Sequence, residues 1–170
     1  ATGLNLHFVG IAFDDAEQAS VAASDAAQAA MGDDPDQLAL AAAEVCAGLA
    51  GRREGTRALR DALHLTKAGD DPGPAGRVLR QWSQAVARPI SVAGLARALE
   101  GMTPERIALS LDATGGTPVD RAARVIEAVL TDSLRAETEA LILAEAVLSK
   151  ALRQDHVLPR ISLGLKARDL

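Results

Sequence analysis

Apolar residues recur at three- and four-residue spacing along most of this chain, the mark of helices with one buried face. Leu79, Trp82 and Val86 share such a face, with Val78 beside them, in a stretch that stops before Pro89. Val125, Ile126, Val129 and Leu130 form a second stripe. Leu141, Ile142, Leu143, Val147 and Leu148 fill a long helix predicted over residues 135–152. The polar positions supply the boundaries. Asp34 precedes Pro35, Thr103 precedes Pro104 and Thr117 precedes Pro118. Each pair is a capping side chain followed by a proline, whose missing N–H would be unpaired in a first helical turn anyway. Asp120, three residues after Thr117, extends that cap to a capping box.

These marks predict helices over residues 38–49, over 53–65 with Leu59, Leu63 and Ala62 inward, and over 92–99 with Ser91 as cap. Another opens at Thr103, with Ile107, Leu109 and Leu111 on its apolar side. Gly69-Asp70-Asp71-Pro72-Gly73-Pro74 is read as a turn, Asp70 or Asp71 capping the helix that follows. Residues 14–31 are helical by alanine content. Residues 4–13 fit a strand through Leu4, Leu6 and Phe8 or a helical face through Leu4, Phe8 and Ile11, and helix is favoured. Lacking an initiator methionine, residues 1–13 are also read as partly tag or irregular.

The fold expected is all-α: a single-domain bundle of about eight helices over residues 1–170, in antiparallel and orthogonal packing with short connections. Composition agrees. There are 36 alanines against three aromatic residues, which favours closely approaching helices. No apolar run reaches the ~20 residues a membrane span requires, and no basic leader opens the chain. The single Cys46 lies in an apolar run and reads as a buried, unreactive thiol of a reducing, cytoplasmic setting.

Charge is uneven. Residues 1–50 carry eight acids and no lysine or arginine, whereas the rest carries 15 acids and 18 bases. The simplest expectation is that acidic N-terminal helices pack beside the basic segment Arg52–Arg88; the alternative is that this segment faces an external anion.

Catalytic signatures are missing where they would be expected. Glu44, Glu127, Glu137, Glu139 and Glu145 have no histidine three residues on, which excludes a ferritin-like di-metal pattern. One cysteine and three scattered histidines, His7, His64 and His156, serve zinc poorly. Asp155-His156 is read as the close of the last long helix, the protonated imidazole favouring the helix dipole. No metal and no cofactor is implied. Three constellations stand as candidates. Arg60, His64, Asp70, Asp71 and Trp82 crowd round one turn and suit a small-molecule or enzyme site within residues 60–82. Arg53, Arg57 and Arg60, with Arg77 and Arg80 near in sequence, suit an anionic group. Residues 91–111 resemble a helix-turn-helix, with Arg97, Thr103 and Arg106 as its nucleic-acid contacts. Against that stand Glu105, Asp112 and the shortage of basic and aromatic residues.

With these residues in view, the chain resembles a bacterial family known as domain of unknown function 1403. The resemblance rests on Leu59-Arg60-Asp61-Ala62, on Gly69-Asp70 with Pro72-Gly73-Pro74-Ala75-Gly76, and on Trp82 and Arg88-Pro89. It continues through Arg135-Ala136-Glu137-Thr138, Ala140-Leu141-Ile142-Leu143-Ala144 and Asp155-His156 before Pro159, covering roughly residues 38–168. The chain departs from the family pattern at Lys67-Ala68, in place of Arg-Pro, and at Arg153-Gln154, in place of Gly-Trp. The resemblance implies a bacterial cytoplasmic protein and brings no activity. The expectation is a non-enzymatic protein-interaction or regulatory module whose partner is another protein or a second copy of the chain. Nucleic-acid binding through residues 91–111 and a site at 60–82 are the alternatives, and no membrane is involved.

Overall fold

A computed structural model describes residues 34–67 and 70–164 of the protein, so the helices expected over 4–13 and 14–31 lie outside the described residues. Among the described residues eight helices follow one another: α1 (Pro35–Leu49), α2 (Thr56–His64), α3 (Gly73–Val86), α4 (Val92–Ala98), α5 (Pro104–Leu111), α6 (Pro118–Asp132), α7 (Glu137–Ala151) and α8 (Arg160–Gly164). The capping residues set four of the starts. The Asp34 carboxylate accepts from the Asp36 N–H at 3.0 Å, and the Ser91 hydroxyl from the Gly94 N–H at 3.0 Å. Thr103 accepts from the Arg106 N–H at 3.3 Å. Thr117 and Asp120 exchange bonds of 3.1 and 2.8 Å, completing the capping box. The Thr117 N–H holds the Asp120 carboxyl below its ordinary value.

Two helices organise the packing. Every residue of α7 from Ala140 to Ser149 is buried, as expected of a helix apolar all round. It pairs with α6 as a helical hairpin, is crossed by α5, and meets α1, α3 and α8. The second hub, α3, packs on α1, α2 and α4 and buries Leu79, Trp82 and Val86 on the face its spacing predicts. A single cluster of buried apolar residues joins both hubs. Contact between α2 and α3 is close: a Cβ on Gly76 would stand 2.5 Å from the Pro72 Cβ and 3.2 Å from the Ala62 carbonyl oxygen.

Several boundaries differ from expectation, each for a physical reason. The turn at residues 69–74 is shorter: Gly73, at φ +71°, and Pro74 already belong to α3. Helix α2 starts at Thr56 behind Gly55, which offers no capping side chain, so Arg53 stands outside the helix and off the face that Arg57 and Arg60 share. Leu109 is 77% exposed, while Ile107 and Leu111 are buried. Those three positions alternate with period two, which a helix cannot place on one face. Among the described residues, the ion pairs of the basic segment are local, joining Arg52 to Glu54, Arg57 to Asp61 and Arg77 to Asp71; most of the acidic N-terminal helices expected beside it lie outside the described residues.

The end of α7 departs most from sequence expectation. Arg153 adopts φ +60°. Its N–H bonds to the Lys150 carbonyl at 3.1 Å, and the Gln154 N–H bonds to the Ser149 carbonyl at 2.9 Å. This is the Schellman termination, whose left-handed position glycine normally fills. His156 lies beyond it in an isolated antiparallel bridge with Pro89, away from the helix terminus where dipole stabilisation was expected. Arginine in the left-handed region is strained by about 1 kcal/mol. Arg153→Gly is therefore expected to raise unfolding free energy by about 0.5–1 kcal/mol, part of the relief being lost to the greater freedom of glycine in the unfolded chain. Urea denaturation measures it, and a destabilised variant would contradict the geometry.

Candidate functional site

The residues expected around the 69–74 turn are not gathered into one cleft. Arg60 and His64 are exposed on α2, and Asp70 and Asp71 are exposed where α3 begins. The Asp71 carboxylate accepts from the Gly73 N–H at 3.0 Å and pairs with Arg77 at 2.6 Å, so it shapes the helix start. Trp82 points the other way. Its indole has no exposed surface, and its N–H donates to the Cys46 sulfur at 3.2 Å. Burial pushes the Cys46 thiol up to about 11, against the opposing hydrogen bonds of Trp82 and Thr138. A thiol so placed is not a nucleophile.

The helix-turn-helix residues are placed as follows. Arg97 is exposed in the last turn of α4. The Thr103 hydroxyl serves as the cap of α5. The Arg106 guanidinium is engaged within the protein, donating to the Ala128 carbonyl at 3.2 Å and pairing with Asp132 at 2.6 Å. The residues α5 leaves exposed, Pro104, Glu105 and Leu109, carry no positive charge toward a phosphate backbone.

A groove of about 430 Å³ lies elsewhere, between the start of α1, the end of α3 and the segment after α7. Its lining is mixed: Leu38, Val86, Val157 and Leu158 are apolar, and Gln154, Asp155 and His156 can hydrogen-bond. Three local devices position these parts. Asp34 starts α1 so that Pro35 and Leu38 border the groove. The Schellman turn at Arg153 reverses the chain out of α7. The Pro89–His156 bridge then holds the reversed segment beside the end of α3, with the Ile90 N–H donating to the Asp155 carbonyl at 2.7 Å. Because Pro89 has no N–H, the pairing runs through its neighbours, and the backbone groups of His156 point away from Pro89.

Beneath the far end of this segment sits a polar cluster that spacing alone did not single out. Glu145, Ser149 and Ser162 are fully buried. Glu145 Oε1 accepts from the Ser162 N–H at 2.8 Å and from the Ser162 hydroxyl at 3.2 Å. The Ser149 hydroxyl oxygen accepts from the Leu158 N–H at 3.1 Å. Burial pushes the Glu145 carboxyl up to about 8, outweighing the backbone donors of Ser162, Ile161 and Arg160. The signal was present in the sequence: Glu145 is the only charge in the apolar run 140–148.

Among the described residues, no group of three His, Cys, Asp or Glu is placed to hold a metal ion, and no helix is long and apolar enough to cross a membrane. A family model described as a protein of unknown function, DUF1403, matches residues 8–170. Neither a curated protein nor a solved structure matches the chain.

Proposed function

We propose a non-enzymatic role for this chain, which belongs to the DUF1403 family of proteins of unknown function: it is an interaction module that takes a segment of a partner protein into the groove between α1, α3 and residues 154–158. The observation that carries the reading is the mixed lining of that groove, which sets Leu38, Val86 and Leu158 beside Gln154, Asp155 and His156. Its volume of about 430 Å³ suits one or two side chains of a peptide. An apolar anchor of the partner would lie against Leu38, Val86 and Leu158. Its backbone amides would meet Gln154, Asp155 and His156, in the manner of other peptide-docking surfaces. A second copy of this chain is one source of such a segment.

Peptides selected by display against the folded protein test the proposal. Selected sequences should share an apolar anchor, and a double variant Gln154→Ala, His156→Ala should weaken their binding about tenfold. Both positions are exposed, so helix content should remain that of the parent. Fluorescence anisotropy gives the affinities. Peptides that bind the variant as tightly as the parent would refute a role for this groove.

A further inference from the structure

The segment that forms one wall of the groove leads into a very short helix. Helix α8 has five residues, too few to persist without outside support. Two side chains of α7 bind the backbone before and within it: Ser149 at Leu158, and Glu145 at Ser162. We propose that Glu145 and Ser149 form a latch that fixes residues 157–164 on α7, and that negative charge on Glu145 releases the segment and withdraws the Val157–Leu158 wall from the groove. The latch stands on the buried cluster alone; its effect on partner binding rests on the groove reading above.

Complete burial favours the neutral acid. Among the described residues, Oε1 accepts from the two Ser162 donors, whereas Oε2 is fully buried with no hydrogen bond of its own, and the backbone groups of Ile161 and Arg160 oppose the effect of burial without outweighing it. A carboxylate there would hold a full charge away from water, a larger cost than burying a neutral carboxyl in the same place. Among the described residues, the surrounding charges do not supply a simple substitute. From α1 the titratable neighbour is Cys46, uncharged until about pH 11. From α8 it is Arg160, which has a partner. From α3 comes the uncharged indole of Trp82. On α6, Arg121, Arg124 and Glu127 are exposed or half-buried, and on α5 Arg106 is paired with Asp132. On α7 itself, Glu139 accepts from Gln81 and Lys150 pairs with Asp112. Ionisation therefore acts first on the weakest support within reach, the short helix that Glu145 caps.

Hydrogen–deuterium exchange of the free protein between pH 6 and 9.5 tests the latch, with rates corrected for the intrinsic effect of pH and read on peptides covering residues 157–164. Protection of this segment should hold at the acid end and then fall about tenfold for each pH unit beyond its midpoint, while peptides of the α6–α7 hairpin keep theirs. Glu145→Gln, neutral and able to accept the same bonds, should stay protected throughout. Ser162→Ala removes a donor that favours the anion, so the midpoint should move to higher pH. Level protection in the parent across the range would overturn the proposal. So would a midpoint that neither variant moves. Since exchange is read without a partner present, either result bears on the latch whether or not the groove binds peptide.

Discussion

Trp82→Ala is expected to lower the unfolding free energy by about 3–5 kcal/mol, the largest effect of any single truncation in this molecule. The indole has no exposed surface and sits on α3, which packs on α1, α2 and α4 at once. Its removal would leave a cavity inside the core, and it would leave the Cys46 sulfur without its indole donor. Domains of this size are commonly stable by only about 5–15 kcal/mol, so the variant should stand close to unfolding. Trp82→Phe restores much of the volume but not the N–H donor, and should cost about 1–2 kcal/mol. Circular dichroism in urea is the appropriate measurement, because Trp82 is the only tryptophan and the chain has no tyrosine. A loss below about 1 kcal/mol in the alanine variant would mean that the indole is not enclosed.

Stability should also fall as pH rises from about 4.5 to about 8. In the unfolded chain the Glu145 carboxyl gives up its proton near its ordinary 4.5, whereas in the folded protein burial holds the proton until about 8. The folded state binds the extra proton across that interval, so the contribution of the neutral acid is complete below the lower value and is lost on approach to the upper one. Its size is on the order of a few kcal/mol. Cys46, pushed from 9 up to about 11 for the same reason, extends the decline into the alkaline range. Asp120 and Glu54, whose values are lowered, work in the opposite sense, and their contributions are lost only in acid. Calorimetry at intervals from pH 5 to 9 should show the melting temperature falling in the parent and nearly level in Glu145→Gln. A parent whose melting temperature rises over this range would disprove the assignment.

Helix starts were legible because their causes are local. Asp34, Ser91, Thr103 and Thr117 each bond an N–H two or three residues on, and the sequence displays both partners. The start of α2 is hidden in the sequence because Gly55 offers no capping side chain, and the exposure of Leu109 because its alternation with Ile107 and Leu111 does not fit a period of 3.6. The cluster around residues 60–82 shows the limit of proximity along the chain. Trp82 is near Asp71 in sequence, but the rotation of α3 turns it into the core and leaves Asp71 outside. The groove was illegible for the reverse reason, since its walls come from residues 35–38, 86 and 154–158. Arg153 lies between these cases. Its departure from the family pattern was visible, yet its meaning emerged only with the backbone conformation, because arginine there occupies a glycine position.

The contact between α8 and α1 bears on the order in which the chain assembles. The α6–α7 hairpin joins neighbours across a short connection, as does α2 with α3, and closing such loops removes little chain entropy. Docking α8 on α1 instead joins segments more than a hundred residues apart, an ordering cost that the body of the protein must first be in place to offset. The contact between the ends of the described chain is therefore expected to form late, after α1 has packed on α2 and α3.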